Sequence, residues 1–489
     1  MPASSRWQGW GATVLAAALS GLPALLALWG FGVMITPDSP TYLAFAEALR
    51  AGPLPVGDAL LRAAPAPATL FRTPGYPALL AALQAVAPAG WLGWLVAVQM
   101  AAQAGLAALA HRTGLALGLG SRMALLAALL PASGHAMLAQ ISVMTDALHA
   151  ALAGGAALLL LWGVLRGRGL WPVLLAGLLL AAATLVREAT VYLALAYLPA
   201  AVIGAAVIGA GAIGAGAIGA GAIAENRAAP RRCGARALAA MALLLAPVLA
   251  VAVLLAADNH RRSGTALLST SRQIVMVQAV LPLLARGVPV FDGADLFDRM
   301  ARQTVGQDGY AGIDRLNAAL FEAGLSAPEI AALASDRYAR TWRRHPAEML
   351  RAMVVRLPVK MFGLGFMPVD MVAELHRQAG APRPWFGQPG ALWRDGSPVA
   401  LLLLALLLAS RAIGFALAAG ALLAPLLLAR AGDARAWPVL GAWLVVGGYF
   451  GVHLPVHLEQ RYLLPIVPLV ALLGLAGWRV LLAGRVRPG

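Results

Sequence analysis

The sequence predicts an all-α polytopic membrane protein: ten to twelve transmembrane helices, interfacial helices in the first outer loop, and a small extracytoplasmic helical insertion. Three observations carry that expectation. Apolar runs recur from end to end, roughly at 11–35, 91–110, 122–139, 146–165, 170–186, 189–212, 236–257, 397–429, 436–456 and 461–484. Most approach the ~20 residues needed to cross a hydrocarbon core. The chain is 61% hydrophobic and only 12% charged, whereas soluble domains carry about 25% charged residues. Finally, the links on one side are short and basic, and two stretches on the other side are too long to be turns.

Each element has its own justification. The first run, from about Gly11 to Ile35 behind Arg6, is longer than a signal-peptide core, and many runs follow it, so it is expected to remain as a span. Thr36 to Gly90 reads as an amphipathic helix from Thr41 to Ala51, a Pro-rich connection and a second helix after Pro74, of the kind that lies in the interface plane. The loops His111–Arg122, Arg166–Arg168, Arg227–Arg236 and Arg430–Arg435, with Arg485 and Arg487 in the tail, are basic and nearly free of acids. Lys and Arg accumulate in short cytoplasmic loops, so both termini are expected in the cytoplasm. The repeat from Ala201 to Ala224 has a period of five, which rotates successive glycines by about 140° and lines no single helix face. It reads as a low-complexity extension of a helix end. The segment 258–396 holds 13 of the 21 acidic residues, with helical patterning over 308–323 and 327–344. Two ambiguities stay open: 346–367 spans or lies flat, and 397–429, which contains Ser410-Arg411, is one helix or two. The chain therefore divides into an N-terminal transmembrane region (1–257) with a functional first outer loop (36–90), the extracytoplasmic or interfacial helical segment 258–396, and C-terminal transmembrane helices (397–489).

Charge and cysteine usage exclude some functions. The net charge is +16. Many arginines close apolar runs, where they would meet the anionic headgroups of membrane lipids, and no compact basic domain offers a nucleic-acid footprint. No nucleic-acid partner is expected. A lone Cys233 rules out an intramolecular disulfide and any thiolate metal cluster.

Ionisable residues at membrane depth are costly and therefore point to function. Between Ala59 and Ala224 the acids are Asp146 and Glu188 alone. In the topology above, the outer face gathers Asp38, Asp146 and Glu188 as candidate bases or metal ligands. It also gathers Arg72, Arg187, Arg261, Arg262 and Arg461 as candidate phosphate binders, with His260 and Glu459 beside them. A guanidinium fork meets a phosphate bidentately and keeps its charge at any working pH. The competing reading is that helix-end charges only anchor helices at the headgroups. For Asp38 the competing role is that of N-cap for the helix at Thr41.

The segments around these residues carry a resemblance. Ile35-Thr36-Pro37-Asp38-Ser39-Pro40-Thr41-Tyr42-Leu43 resembles the acidic first-loop motif of C-type membrane glycosyltransferases. That superfamily includes the dolichyl-phosphate-mannose protein mannosyltransferases and the bacterial lipid A aminoarabinose transferases. Phe71-Arg72-Thr73-Pro74-Gly75-Tyr76-Pro77 is similar to the R-x-P-x-Y-P that follows in bacterial members. Ile141-Ser142-Val143-Met144-Thr145-Asp146-Ala147-Leu148 is similar to the segment with their second acid. Leu185-Val186-Arg187 and Glu459-Gln460-Arg461-Tyr462-Leu463-Leu464-Pro465 resemble two further helix ends. Asp38 stands without the paired Asp-Glu of the eukaryotic mannosyltransferases, and 258–396 matches no named pattern.

The resemblance implies transfer of a sugar from a polyprenyl-phosphate donor to an extracytoplasmic lipid, glycan or protein acceptor by inverting displacement, at the bacterial inner membrane. It implies Asp38 and Asp146 as catalytic residues and Arg72, Arg187 and Arg461 as donor-phosphate binders, to which their place on the same face adds Arg261 and Arg262 as candidates. Tyr42, Tyr76, Glu188, Glu459 and Tyr462, in or beside these motifs, are candidate supports, and His260 joins them by its position. A divalent cation is left open as cofactor, and the acceptor is unnamed. The chemistry is consistent with so few acids. A sugar-phosphate already has a leaving group that needs no proton, so one base and several cations suffice, where a glycosidase needs two carboxylates. Two alternatives stand beside this one: an O-antigen polymerase or ligase type of glycan transferase, and a polytopic transporter or flippase.

Overall fold

The structure, a computed structural model, describes residues 3–61, 68–209, 229–293, 295–361, 364–367 and 389–484. Among these residues the chain is helical, and its one β-type pairing is an isolated bridge between Met34 and Ser142. Six helices are long and apolar enough to cross a membrane: Trp10–Phe31, Trp91–Ala116, Asp146–Leu165, Thr190–Ile208, Gly234–Ser263 and Pro398–Arg430. A seventh span forms if Ser121–Ala132 and Gly134–Gln140, bent by 55° at Ser133, count as one. Gly75–Val86, Trp171–Val186, Arg272–Leu284 and Val467–Ala483 are shorter apolar helices. The protein is thus a multi-pass helical membrane protein.

Asp146–Leu165 is the central helix. Its most apolar window is 72% buried, against 28–44% in the other five spans, and it packs on Trp171–Val186, Trp91–Ala116 and Thr190–Gly209. Small residues permit that closeness: a Cβ on Gly154 would lie 2.8 Å from the Pro465 carbonyl. Around this centre the other spans turn leucines outward, as at Leu401, Leu402, Leu408, Leu422 and Leu426 of one 33-residue helix, Pro398–Arg430. Exposed apolar surface in such quantity fits lipid contact. That helix is continuous across Ser410 and Arg411, because both turn into helical register and Ser410 is buried, its hydroxyl accepting from the Met367 N–H. The two-helix option for 397–429 is therefore corrected.

The 36–90 loop contains helices at Ser39–Ala51 and Gly75–Val86, as its pattern suggests. Tyr42, Ala46, Tyr76 and Leu80 pack them onto Leu95, Val143 and Val186. The 258–361 region builds a second core, where Val277, Phe297, Leu316, Leu320 and Ile330 close between Arg272–Leu284, Leu296–Gln303, Gly312–Glu322 and Ala327–Arg344. Ser326 and Glu329 form a capping box at the start of the last of these. Pro346–Met361 is a helix. The helix carrying the glycine repeat is described to Gly209, and the rest of the repeat lies outside the described residues. So do Arg485 and Arg487 of the tail and the Arg227 end of the third basic loop.

The basic loops meet at the bundle end opposite Asp146. There Arg435 and Arg479 donate to the carbonyls of Leu117 and Gly118, just past the Trp91–Ala116 helix. Cations at a helix C-terminus satisfy its orphan carbonyls and oppose its dipole.

Candidate functional site

Asp38 and Asp146 come together through a backbone pairing. After the first span ends at Phe31, the Met34 N–H donates to Ile141 O at 2.8 Å and the Val143 N–H donates to Met34 O at 3.0 Å. The Ser39 hydroxyl ties the same two segments, accepting from the Thr36 N–H and donating to Val143 O, both at 2.8 Å. Asp38 sits at the cap position of Ser39–Ala51 yet caps nothing: its backbone is already helical and its carboxylate makes no cap hydrogen bond. It turns to two arginines instead. Arg72 Nη2 donates to Oδ1 at 2.8 Å and Arg461 Nη1 to Oδ2 at 2.9 Å.

Each arginine is held in place from behind. Arg72 Nε donates to the Thr41 hydroxyl at 2.9 Å, and its guanidinium lies 4.4 Å from the Tyr42 ring centre and 4.5 Å from that of Phe71. Gly75 lets this loop seat: a Cβ there would stand 2.7 Å from the Leu185 carbonyl. Arg187 leaves the end of Trp171–Val186 in extended backbone, donates to Asp146 Oδ1 at 2.9 Å, and stacks 4.3 Å from the centre of Tyr462. Arg461 links both acids, since the nitrogen that meets Asp38 lies 3.7 Å from Asp146 Oδ2, while its Nε donates to Glu459. Glu459 in turn faces His457 Nε2 at 3.0 Å.

Exposure separates the two aspartates. The Asp38 side chain is 32% accessible and that of Asp146 is 2%. Asp146 opens its helix, where the macrodipole favours a carboxylate, and its Oδ2 is buried with no hydrogen-bond partner. Burial alone would raise the Asp38 carboxyl, but Arg72 and Arg461 outweigh it and hold it below the ordinary aspartate range. Glu459, raised by burial but pulled down by His457 and Arg461, is held at about 2.

The other expected residues are placed around this cluster. Arg261 is exposed and pairs with Asp258 at 2.8 Å. Arg262 is buried and donates to the Thr69 hydroxyl at 2.8 Å and the Thr69 carbonyl at 3.3 Å. It braces the 36–90 loop. His260 is exposed on the same helix end. Glu188 accepts from the Ser271 hydroxyl and so fastens 258–361 to the Arg187 turn. Tyr76 packs edge-on against Tyr42 at 5.2 Å. Sequence reasoning missed His457, two positions before Glu459, and Tyr310. The Tyr310 phenol is pushed up by partial burial and by the neighbouring Glu459 and Asp38 carboxylates, with Arg461 opposing. Tyr338 of the 258–361 region donates to the Pro455 carbonyl, on the link that carries His457 and Glu459.

A resident dication does not fit this donor set. Among the described residues no three His, Cys, Asp or Glu side chains are grouped to hold one, and both Asp38 oxygens face guanidinium groups that would repel it.

No protein-family model matches the chain, and no curated protein sequence matches it. Among solved structures it is similar to the archaeal oligosaccharyltransferase AglB from Archaeoglobus fulgidus, in complex with an inhibitory peptide and a dolichol-phosphate, with 12% identity and a TM-score of 0.47. The alignment covers 99% of this chain and 51% of that one, so the chain spans about half the length of that protein.

Proposed function

We propose that the protein is a membrane-embedded glycosyltransferase that moves a sugar from a polyprenyl-phosphate donor to an extracytoplasmic acceptor with inversion. One observation carries this reading: an accessible aspartate and three arginines from four distant segments converge at one end of the bundle, around a second, buried aspartate. In the proposed reaction Asp38 accepts the proton of the acceptor hydroxyl while that oxygen attacks the anomeric carbon. The bond from that carbon to the phosphate oxygen breaks, and its electron pair leaves with the lipid phosphate. The phosphate gains a negative charge in this step, and Arg72, Arg187 and Arg461 are the cations that meet it. Asp146 positions Arg187 and Arg461. No step is routed through a metal. Transporters instead place ionisable groups and broken helices near the bilayer midplane, and here the cluster lies at helix ends.

Asp38→Asn tests the assignment. Asn matches Asp in size and cannot take the proton, and losing a general base costs about 10²–10⁴ in rate. Purified variant and parent protein, given radiolabelled polyprenyl-phosphate sugars and bacterial membranes, should differ at least a hundredfold in transfer, with the variant still folded. Transfer at the parental rate would remove Asp38 from the chemistry.

A further inference from the structure

Asp38 is at once the proposed base and the ion partner of the arginines proposed to hold the donor. Both of its oxygens are engaged, at 2.8 Å by Arg72 and at 2.9 Å by Arg461. A carboxylate so held has both oxygens turned to guanidinium groups, and their two positive charges weaken it as a base. The formal charges also already balance. Arg72, Arg187 and Arg461 face Asp38, Asp146 and Glu459. A phosphodiester anion entering this partly buried cluster would add an uncompensated charge unless an existing anion gave way, and unpaired charge is costly in such surroundings.

We infer that Asp38 is the resting counter-ion of Arg72 and Arg461, and that the donor phosphate displaces it, freeing the carboxylate to face the acceptor. This rests on the glycosyltransferase reading above and specifies how its site is switched on. Asp38 is the acid able to yield. Asp146 is nearly inaccessible and locked onto Arg187. Glu459 is held between His457 and the Nε of Arg461. Asp38 is the most accessible of the three, and its side chain carries no cap bond that would be lost on turning away. The exchange makes binding ordered: donor first, base released second, acceptor third.

The experiment measures the affinity of polyprenyl phosphate without sugar for the full chain in nanodiscs of neutral lipid. If Asp38 competes for the arginines, Asp38→Asn should bind at least tenfold more tightly than the parent. Asp38→Glu should retain the parental affinity. Glu459→Gln also removes one negative charge but leaves the competitor in place, so it should gain much less. Asp38→Ser repeats the test should the Asn variant misfold. Equal or weaker binding by the neutral Asp38 variants overturns the exchange, as does an equal gain in Glu459→Gln, which would be a general charge effect. If the parent and every variant fail to bind polyprenyl phosphate, the donor assignment falls and the exchange falls with it. If the parent binds and the Asp38 variants gain nothing, the exchange alone falls.

Discussion

Arg187 and Arg461 each do two things that lysine cannot. Arg187 reaches Asp146 while its flat face covers Tyr462, and Arg461 uses Nε for Glu459 and Nη1 for both aspartates. Lysine keeps the charge but loses the fork and the stacking plane. Arg187→Lys and Arg461→Lys should therefore accumulate in membranes yet bind polyprenyl phosphate at least tenfold more weakly. Parental affinity in both would return these residues to the role of headgroup anchors. Acid should also loosen the site. Asp38 and Glu459 both titrate below their ordinary values, 3.8 and 4.5. Their pairs therefore stabilise the fold fully above those values, and the contribution fades as pH falls, for Glu459 down to about 2. Thermal unfolding of the purified protein should show a midpoint that drops below pH 4.5, with a smaller drop in Glu459→Gln. At this scale Asp38, Asp146, Arg187 and Arg461 are legible because each ends, follows or opens an apolar run, and Arg72 through the motif around it. Arg261 and Arg262 share the first signal and pair elsewhere, since sequence position fixes a residue's depth in the membrane and not the side of the helix it occupies.

Elements brace one another through backbone approach and buried ion pairs, and both can be broken singly. Gly75→Ala would drive a methyl against the Leu185 backbone, an overpacking that costs about 1–3 kcal/mol and shifts Arg72 away from Asp38. The variant should unfold at lower temperature and bind polyprenyl phosphate more weakly. An unchanged pair of measurements would mean that the loop seats without this contact. In the 258–361 region, buried Arg337 meets Asp298 at 2.5 Å, and Asp295 and Asp336 complete its partners. Removing one member of such a group costs about 3–5 kcal/mol. Arg337→Ala should accelerate hydrogen exchange across 296–344 and leave Asp146–Leu165 protected. Uniform protection would show that the local core alone holds the region. The helices at 39–51, 75–86, 312–322 and 327–344 were readable from periodicity. The Met34–Ser142 bridge was not, because two backbone segments more than a hundred positions apart leave no compositional trace when they pair.

For the whole molecule, the structure sorts charges between two ends: the proposed site lies at one, and Arg435 and Arg479 lie with the 117–118 turn at the other. Arginine bias predicts that the second end is cytoplasmic. A reporter active only outside the cytoplasm should be bright when fused near Gly312 and dark at Arg168, and reversed signals would turn the site toward the cytoplasm. The sequence also led to more spans than the described helices supply by length and apolarity. Trp171–Val186 stops where Arg187 leaves the helix in extended backbone, and Val467–Gly484 begins only after the turn Gln460–Leu463 that carries Arg461. A hydropathy run does not register where the helix within it starts or stops.

Asp38 and Arg461 stand 423 positions apart, and that distance in the chain is also a delay in time. Ribosomes add about 5–20 residues per second, so Asp38 leaves the ribosome some tens of seconds before its bridging cation exists. Of the three arginines of the site, Arg461 alone meets both Asp38 and Asp146, although the Met34–Ser142 pairing already sets their two segments side by side. The turn that carries Arg461, Gln460–Leu463, acts as a keystone. A chain that stops short of Arg461 would keep its two carboxylates without the cation that bridges them, and the site would be incomplete.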